Sequence, residues 1–154
     1  MRPLAAESDP TKLVRDSAAH GEMVAAAPRR DVAEVATHFG VSVVRLAHDM
    51  EKQEYVPRAL ARQLLQAGTS VGANVREGLG GQSVADFISK YAIALKEAHK
   101  TAHWLEMLAA TGVVQPERLT PIQGECGELI ELLTTLLEIA RQNSKSATRR
   151  AKTK

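Results

Sequence analysis

The chain has 154 residues and a mass of 16.6 kDa, which is enough for one domain with a buried core. A hydrophobic fraction of 44% excludes a wholly disordered polypeptide, and 24 Ala and 16 Leu against five aromatic residues exclude sandwiches, barrels and doubly wound sheets. The formal charge of +2 conceals three unlike regions: residues 1–29 sum to zero, residues 30–142 to −3, and residues 143–154 to +5.

Residues 1–29 carry no helical periodicity. Pro3, Pro10, Gly21 and Pro28 punctuate them, and charges alternate with small side chains, so the segment reads as a disordered leader. It has no signal-peptide core, because Glu7, Asp9, Lys12, Arg15, Asp16 and Glu22 interrupt it. No apolar run approaches the roughly 20 residues that cross a bilayer. A single cysteine, Cys126, excludes an internal disulfide framework. The expected setting is the cytoplasm, without membrane contact.

The body, residues 30–142, resolves into four amphipathic stretches. In the first, Val32, Val35, Phe39, Val43, Leu46 and Met50 recur at steps of three and four, which predicts a helix over about 30–52. Gly40 weakens it by about 1 kcal/mol relative to Ala. In the second, Pro57 suits a first helical turn, where no amide donor is needed, and Gly80-Gly81 ends the apolar stripe that runs from Val56 to Leu79. This helix holds Gly68, Ser70, Gly72, Asn74, Glu77 and Gly78. Its two interior glycines, Gly68 and Gly72, cost about 2 kcal/mol of propensity, which predicts a close crossing by a neighbour. Asn74 and Glu77 read as groups that bond across the bundle or to the next loop and hold helix register. The competing reading is a polar contact to a ligand.

The third stretch opens with Ser83 as a cap and Asp86 reaching back to it, and it stops at Gly112 in the left-handed conformation. Phe87, Tyr91, Ala94, Ala98, Ala102, Leu105 and Ala109 form its apolar face. Thr120-Pro121 reads as the cap and first turn of the fourth helix. Ile122, Cys126, Leu129, Leu133, Leu136 and Ala140 make its first apolar face, and Ile130, Leu132, Leu137 and Ile139 make a second. That surplus apolar surface predicts self-association. Short links between helices of similar length predict an all-α, antiparallel up-down-up-down four-helix bundle with left-handed packing.

Candidate chemistry is sparse. His99 and His103 stand four apart with Glu106 beyond them, a spacing that places two imidazoles on one metal. Neither HExxH nor paired Glu-x-x-His motifs occur, so an exposed or interfacial pair is favoured over a metal site. Cys126 lies on an apolar face, as an inert buried thiol would. Trp104 reads as packing rather than base stacking. No nucleophile, general base and oxyanion donors are spaced to cooperate, so neither an enzyme nor a cofactor is expected. The tail from 143 to 154 (Lys145, Arg149, Arg150, Lys152 and Lys154) has no aliphatic side chain larger than Ala. It is expected to be disordered, either as an electrostatic arm for phosphate backbones or as a solubilising terminus. Arg58, Arg62 and Arg76 on the second helix form a second candidate cluster.

The run Ser70-Val71-Gly72-Ala73-Asn74-Val75-Arg76-Glu77-Gly78 resembles the signature of the bacterial four helix bundle proteins, also called ribosomal RNA intervening-sequence proteins. Gln63–Ser70, Ser83–Lys90, Ile93–Ala98, Trp104-Leu105 and Thr111-Gly112 are similar to the same family, so the likeness covers about 30–142. The resemblance implies an antiparallel four-helix bundle that assembles as a ring-like homopentamer. It is related to the accessory protein of diversity-generating retroelements, which binds nucleic acid and a reverse transcriptase through a basic surface. The leading expectation is a non-enzymatic homo-oligomer that binds RNA, DNA or a nucleoprotein partner. The alternative is a protein-interaction scaffold with no nucleic-acid role.

Overall fold

Asp31 starts the first helix. Its carboxylate accepts a hydrogen bond from the Ala33 amide at 3.0 Å, so α1, Val32–Glu51, begins on a side-chain cap as well as a favourable charge. This is a computed structural model, and it describes residues 31–152, with side chains as far as Arg149. The leader expected at 1–29 lies outside the described residues.

The second helix, α2, spans Arg58–Leu79. Pro57 falls one residue before it, and its carbonyl accepts from the Leu60 amide at 2.9 Å and the Ala61 amide at 3.4 Å. The third, α3, covers Val84–Thr111 as the spacing predicts. Ser83 Oγ accepts from the Asp86 amide at 3.1 Å, and Gly112 takes φ 65° at the C-terminal stop. The Asp86 carboxylate does not complete the expected box. It lies over Gly81 instead, 2.6 Å from where a Cβ would stand.

The fourth helix, α4, differs from expectation at both ends: it runs from Pro116 to Lys152. Pro116 is the first-turn proline, and Pro121 lies inside the helix rather than opening it. Burial of Leu119, 1% exposed, explains the earlier start, because it extends the core stripe back by one turn and carries the chain into the helix before Pro121. Residues 143–152 were expected to be disordered and instead continue the helix. The sequence argument weighed only apolar burial. Extending an existing helix costs far less than nucleating one, so this stretch needs little burial. No Gly or Pro follows Gly127. Ser146 and Thr148 donate back to the carbonyls of Gln142 and Ser144 at 3.0 Å each, and basic side chains suit the helix C-terminus.

The helices form a four-helix bundle in which α1 packs against α2 and α4, and α3 packs against α2 and α4. Across α1 and α2, Val43 meets Gly68 and Ala36 meets Gly72. Across α1 and α4, His38 meets Glu125 and Asp49 meets Arg118. In both pairs, position rises along one helix as it falls along the other, the order made by helices running in opposite senses. Phe39, Tyr91, Leu64, Leu105, Leu129 and Leu133 fill the centre with their side chains fully buried. Phe87 stacks on Tyr91 at a centroid distance of 3.9 Å. Among the described residues there is no strand, and no helix is long and apolar enough to cross a membrane.

Candidate functional site

Of the six motif positions of α2, four meet a neighbouring helix and two bond within α2 itself. Gly68 and Gly72 face α1: a Cβ at Gly68 would stand 2.6 Å from Val43 Cγ1, and one at Gly72 3.4 Å from the Ala36 carbonyl oxygen. Gly78 faces α3, where a Cβ would stand 2.7 Å from the Tyr91 ring. Two of the three polar members act locally. Ser70 Oγ donates to the Gln66 carbonyl at 2.7 Å, and Asn74 Nδ2 donates to the Ser70 carbonyl at 2.8 Å, so Asn74 bonds within its own helix rather than across the bundle. Glu77 does reach across, accepting from Lys90 Nζ at 2.5 Å.

The three arginines proposed as a cluster are not brought together. Arg58 and Arg62 are exposed near the start of α2, and Arg76 lies roughly 20 Å further along it at 1.5 Å per residue. Arg76 Nη2 donates to Thr37 Oγ1 on α1 at 3.3 Å. There it shares an open groove of about 460 Å³ between α1 and α2 with Arg45, a residue the sequence reading missed. The periodicity of α1 shows that Arg45 lies off the core stripe, but not which neighbour that flank adjoins. Val41 and Val44, exposed by 43% and 45%, line the same groove.

At the other end of the chain, α4 carries its basic residues outward. Arg141, Lys145 and Arg149 are exposed and four residues apart, which sets them along one side of the helix. Residues 150 and 152 lie in the same helix, although their side chains, like the whole of Lys154, are outside the described set. The second apolar face of α4 is used partly within the chain. Leu137 is fully buried, Ile130 and Leu132 are half-buried against the core, and Ile139 is half-buried.

The groups with displaced proton affinities do not share a site. Arg118 beside Asp49 holds that carboxyl below its usual range, and Glu77 holds the Lys90 ammonium above its usual range. Cys126 is 1% exposed, its Sγ lies 3.4 Å from the Ala98 carbonyl, and burial pushes the thiol up to about 11. The Glu106 charge adds to that shift, and a backbone contact at Ala102 opposes it. The unfolded chain therefore ionises this thiol first, from near its ordinary 9.0, so the thiol's contribution to stability is complete below about pH 9 and is lost as pH rises towards 11. Urea unfolding midpoints should fall more steeply over that interval for the native chain than for Cys126→Ala, and equal slopes would contradict the assignment.

His99 and His103 are both exposed on α3, and among the described residues no three His, Cys, Asp or Glu side chains gather as metal ligands. Trp104 is half-buried against the core, with its indole nitrogen enclosed and the His103 ring 5.3 Å away. The accessible features among the described residues include a groove with two guanidinium groups and a helical end with a basic side.

Fold and motif together define a small helical-bundle protein built around a glycine-bearing second helix. The chain belongs to the 23S rRNA-intervening sequence protein family, whose model matches residues 29–135. It is similar to a crystal structure of a protein of unknown function from the S23 ribosomal protein family of Bacteroides thetaiotaomicron VPI-5482. The two share 37% identity and a TM-score of 0.65, over 70% of this chain and 98% of that one. Among curated proteins, none matches.

Proposed function

We propose that this chain is a non-enzymatic homo-oligomeric bundle that binds nucleic acid, alone or within a nucleoprotein, through the basic end of α4. The observation that carries this reading is the course of α4 itself. Beyond Glu138 it holds no acidic residue, and it presents Arg141, Lys145 and Arg149 along one side. A helix holds those cations in a fixed row, where a coil would have to order them on binding, so less entropy opposes contact with a phosphate backbone. Repetition of the row in an oligomer would raise avidity without new contacts. The family description refers to 23S rRNA, which makes RNA the first probe.

The test is a gel-shift titration with RNA and with DNA, run on the full chain and on a chain ending at Asn143. The shorter chain lacks five basic groups. Binding by the full chain should weaken steeply with salt, with a slope of about −0.7 to −0.9 per phosphate neutralised, and the shorter chain should show both weaker binding and a shallower slope. Absence of binding at low salt, or an unchanged slope after truncation, overturns the proposal.

A further inference from the structure

Five of the six glycines within the helices fall into two groups, Gly72 at 3.4 Å from the Ala36 carbonyl oxygen standing between them. Gly68 and Gly78 are demanded by contacts inside the chain, where a Cβ would run into Val43 and Tyr91. Gly40, Gly124 and Gly127 are not: a Cβ at any of the three meets nothing within 4 Å, so each weakens its helix without relieving a contact in this chain. Gly40 lines the α1/α2 groove. Gly124 and Gly127 lie on the outer face of α4 with Glu131, Thr135 and Glu138, all exposed and on one side by helical spacing.

The two faces are complementary in charge and in spacing. The groove holds Arg45 and Arg76, and among the described residues neither is ion-paired to a carboxylate. Arg76 is bonded to Thr37, and Arg45 is attached eight residues further along α1, a helix rise of roughly 12 Å between the two points. On α4, Glu131 and Glu138 are likewise exposed and unpaired, seven residues apart on one face, or roughly 10.5 Å. The difference is within the reach of these side chains. Beside the arginines, Val41 and Val44 leave aliphatic surface uncovered, and the small residues on both faces let two helices approach closely.

We infer that the α1/α2 groove of one copy seats the outer face of α4 of a second copy, with Arg45 and Arg76 pairing with Glu131 and Glu138. This rests on the homo-oligomer reading above and assigns its interface. Because groove and ridge are different surfaces, the contact is head-to-tail and propagates from copy to copy until it closes.

Native mass spectrometry and sedimentation equilibrium on the full chain, stripped of nucleic acid, test this. The native chain should be an oligomer whose mass falls as salt rises. Arg45→Glu with Arg76→Glu, and separately Glu131→Arg with Glu138→Arg, should each drop to monomer with helix content unchanged. The four changes combined restore opposite charges across the contact and should recover the native mass. Gly40→Leu should also yield monomer with helix content unchanged, because a Cβ at Gly40 meets nothing within 4 Å and the longer side chain occupies the groove. A native chain that is monomeric overturns the oligomer reading and this inference together. An oligomer whose mass survives both charge reversals overturns the interface alone, and so does failure of the fourfold variant to reassemble.

Discussion

Phe39→Ala lowers the stability of the bundle by about 4 kcal/mol. Phe39 is fully buried near the middle of α1 and belongs to the core contributed by all four helices. Truncating it removes apolar area and leaves a void that close-packed neighbours fill only in part. For a domain of this size the melting temperature falls on the order of 15 °C, read by far-UV circular dichroism at fixed protein concentration. Tyr55 provides the contrast. It is 70% exposed in the link between α1 and α2, so Tyr55→Ala should stay within about 0.5 kcal/mol of the native chain. Equal losses for the two aromatics would mean that the core does not lie where the structure puts it.

Gly68→Ala is the second large effect, and its sign opposes helix propensity. In an exposed helix, Gly to Ala gains about 1 kcal/mol. Here the new methyl would stand 2.6 and 2.8 Å from the two Cγ atoms of Val43, a fully buried side chain whose β-branching leaves one strongly preferred rotamer in a helix. The helices must separate, and the net loss should be about 2 kcal/mol. Shortening Val43 makes the room, so in a Val43→Ala background the same Gly68→Ala change should be neutral or stabilising. A double-mutant cycle in chemical denaturation should then give a coupling energy of about 2 kcal/mol. Additivity within 0.5 kcal/mol would show that the α1/α2 crossing is looser than the structure has it.

These two sites differ in how legible they were beforehand. Phe39 is one step of a regular apolar stripe, so its burial follows from periodicity. Gly68 was marked as the site of a close crossing, but nothing local names Val43 as the residue that crosses there. Gly78 shares the same motif run, yet it faces Tyr91 on α3 rather than α1. The candidate binding surface was read less well. Arg58, Arg62 and Arg76 were grouped because they share a helix, and a helix of 22 residues separates its ends by roughly 30 Å. The partner that Arg76 meets, the groove holding Arg45, is made by two helices and has no signature in either. The basic tail was marked as a candidate for its charge, but its expected state was wrong, since absence of apolar residues argues against independent folding and not against continuation of a helix already formed.

What the amino-acid order determined alone is whatever acts over a few residues. This covers four helical stripes, the Ser83 cap, the stop at Gly112 and the sign of charge along the chain, because capping, turn geometry and the 3.6-residue repeat are local. Tertiary structure alone decided which flank of each helix adjoins which neighbour. It therefore decided which glycines relieve a contact, where α4 begins, and that Arg45 and Arg76 line one groove. Those facts depend on pairs of side chains far apart in the chain, whose approach is set by packing all four stripes at once.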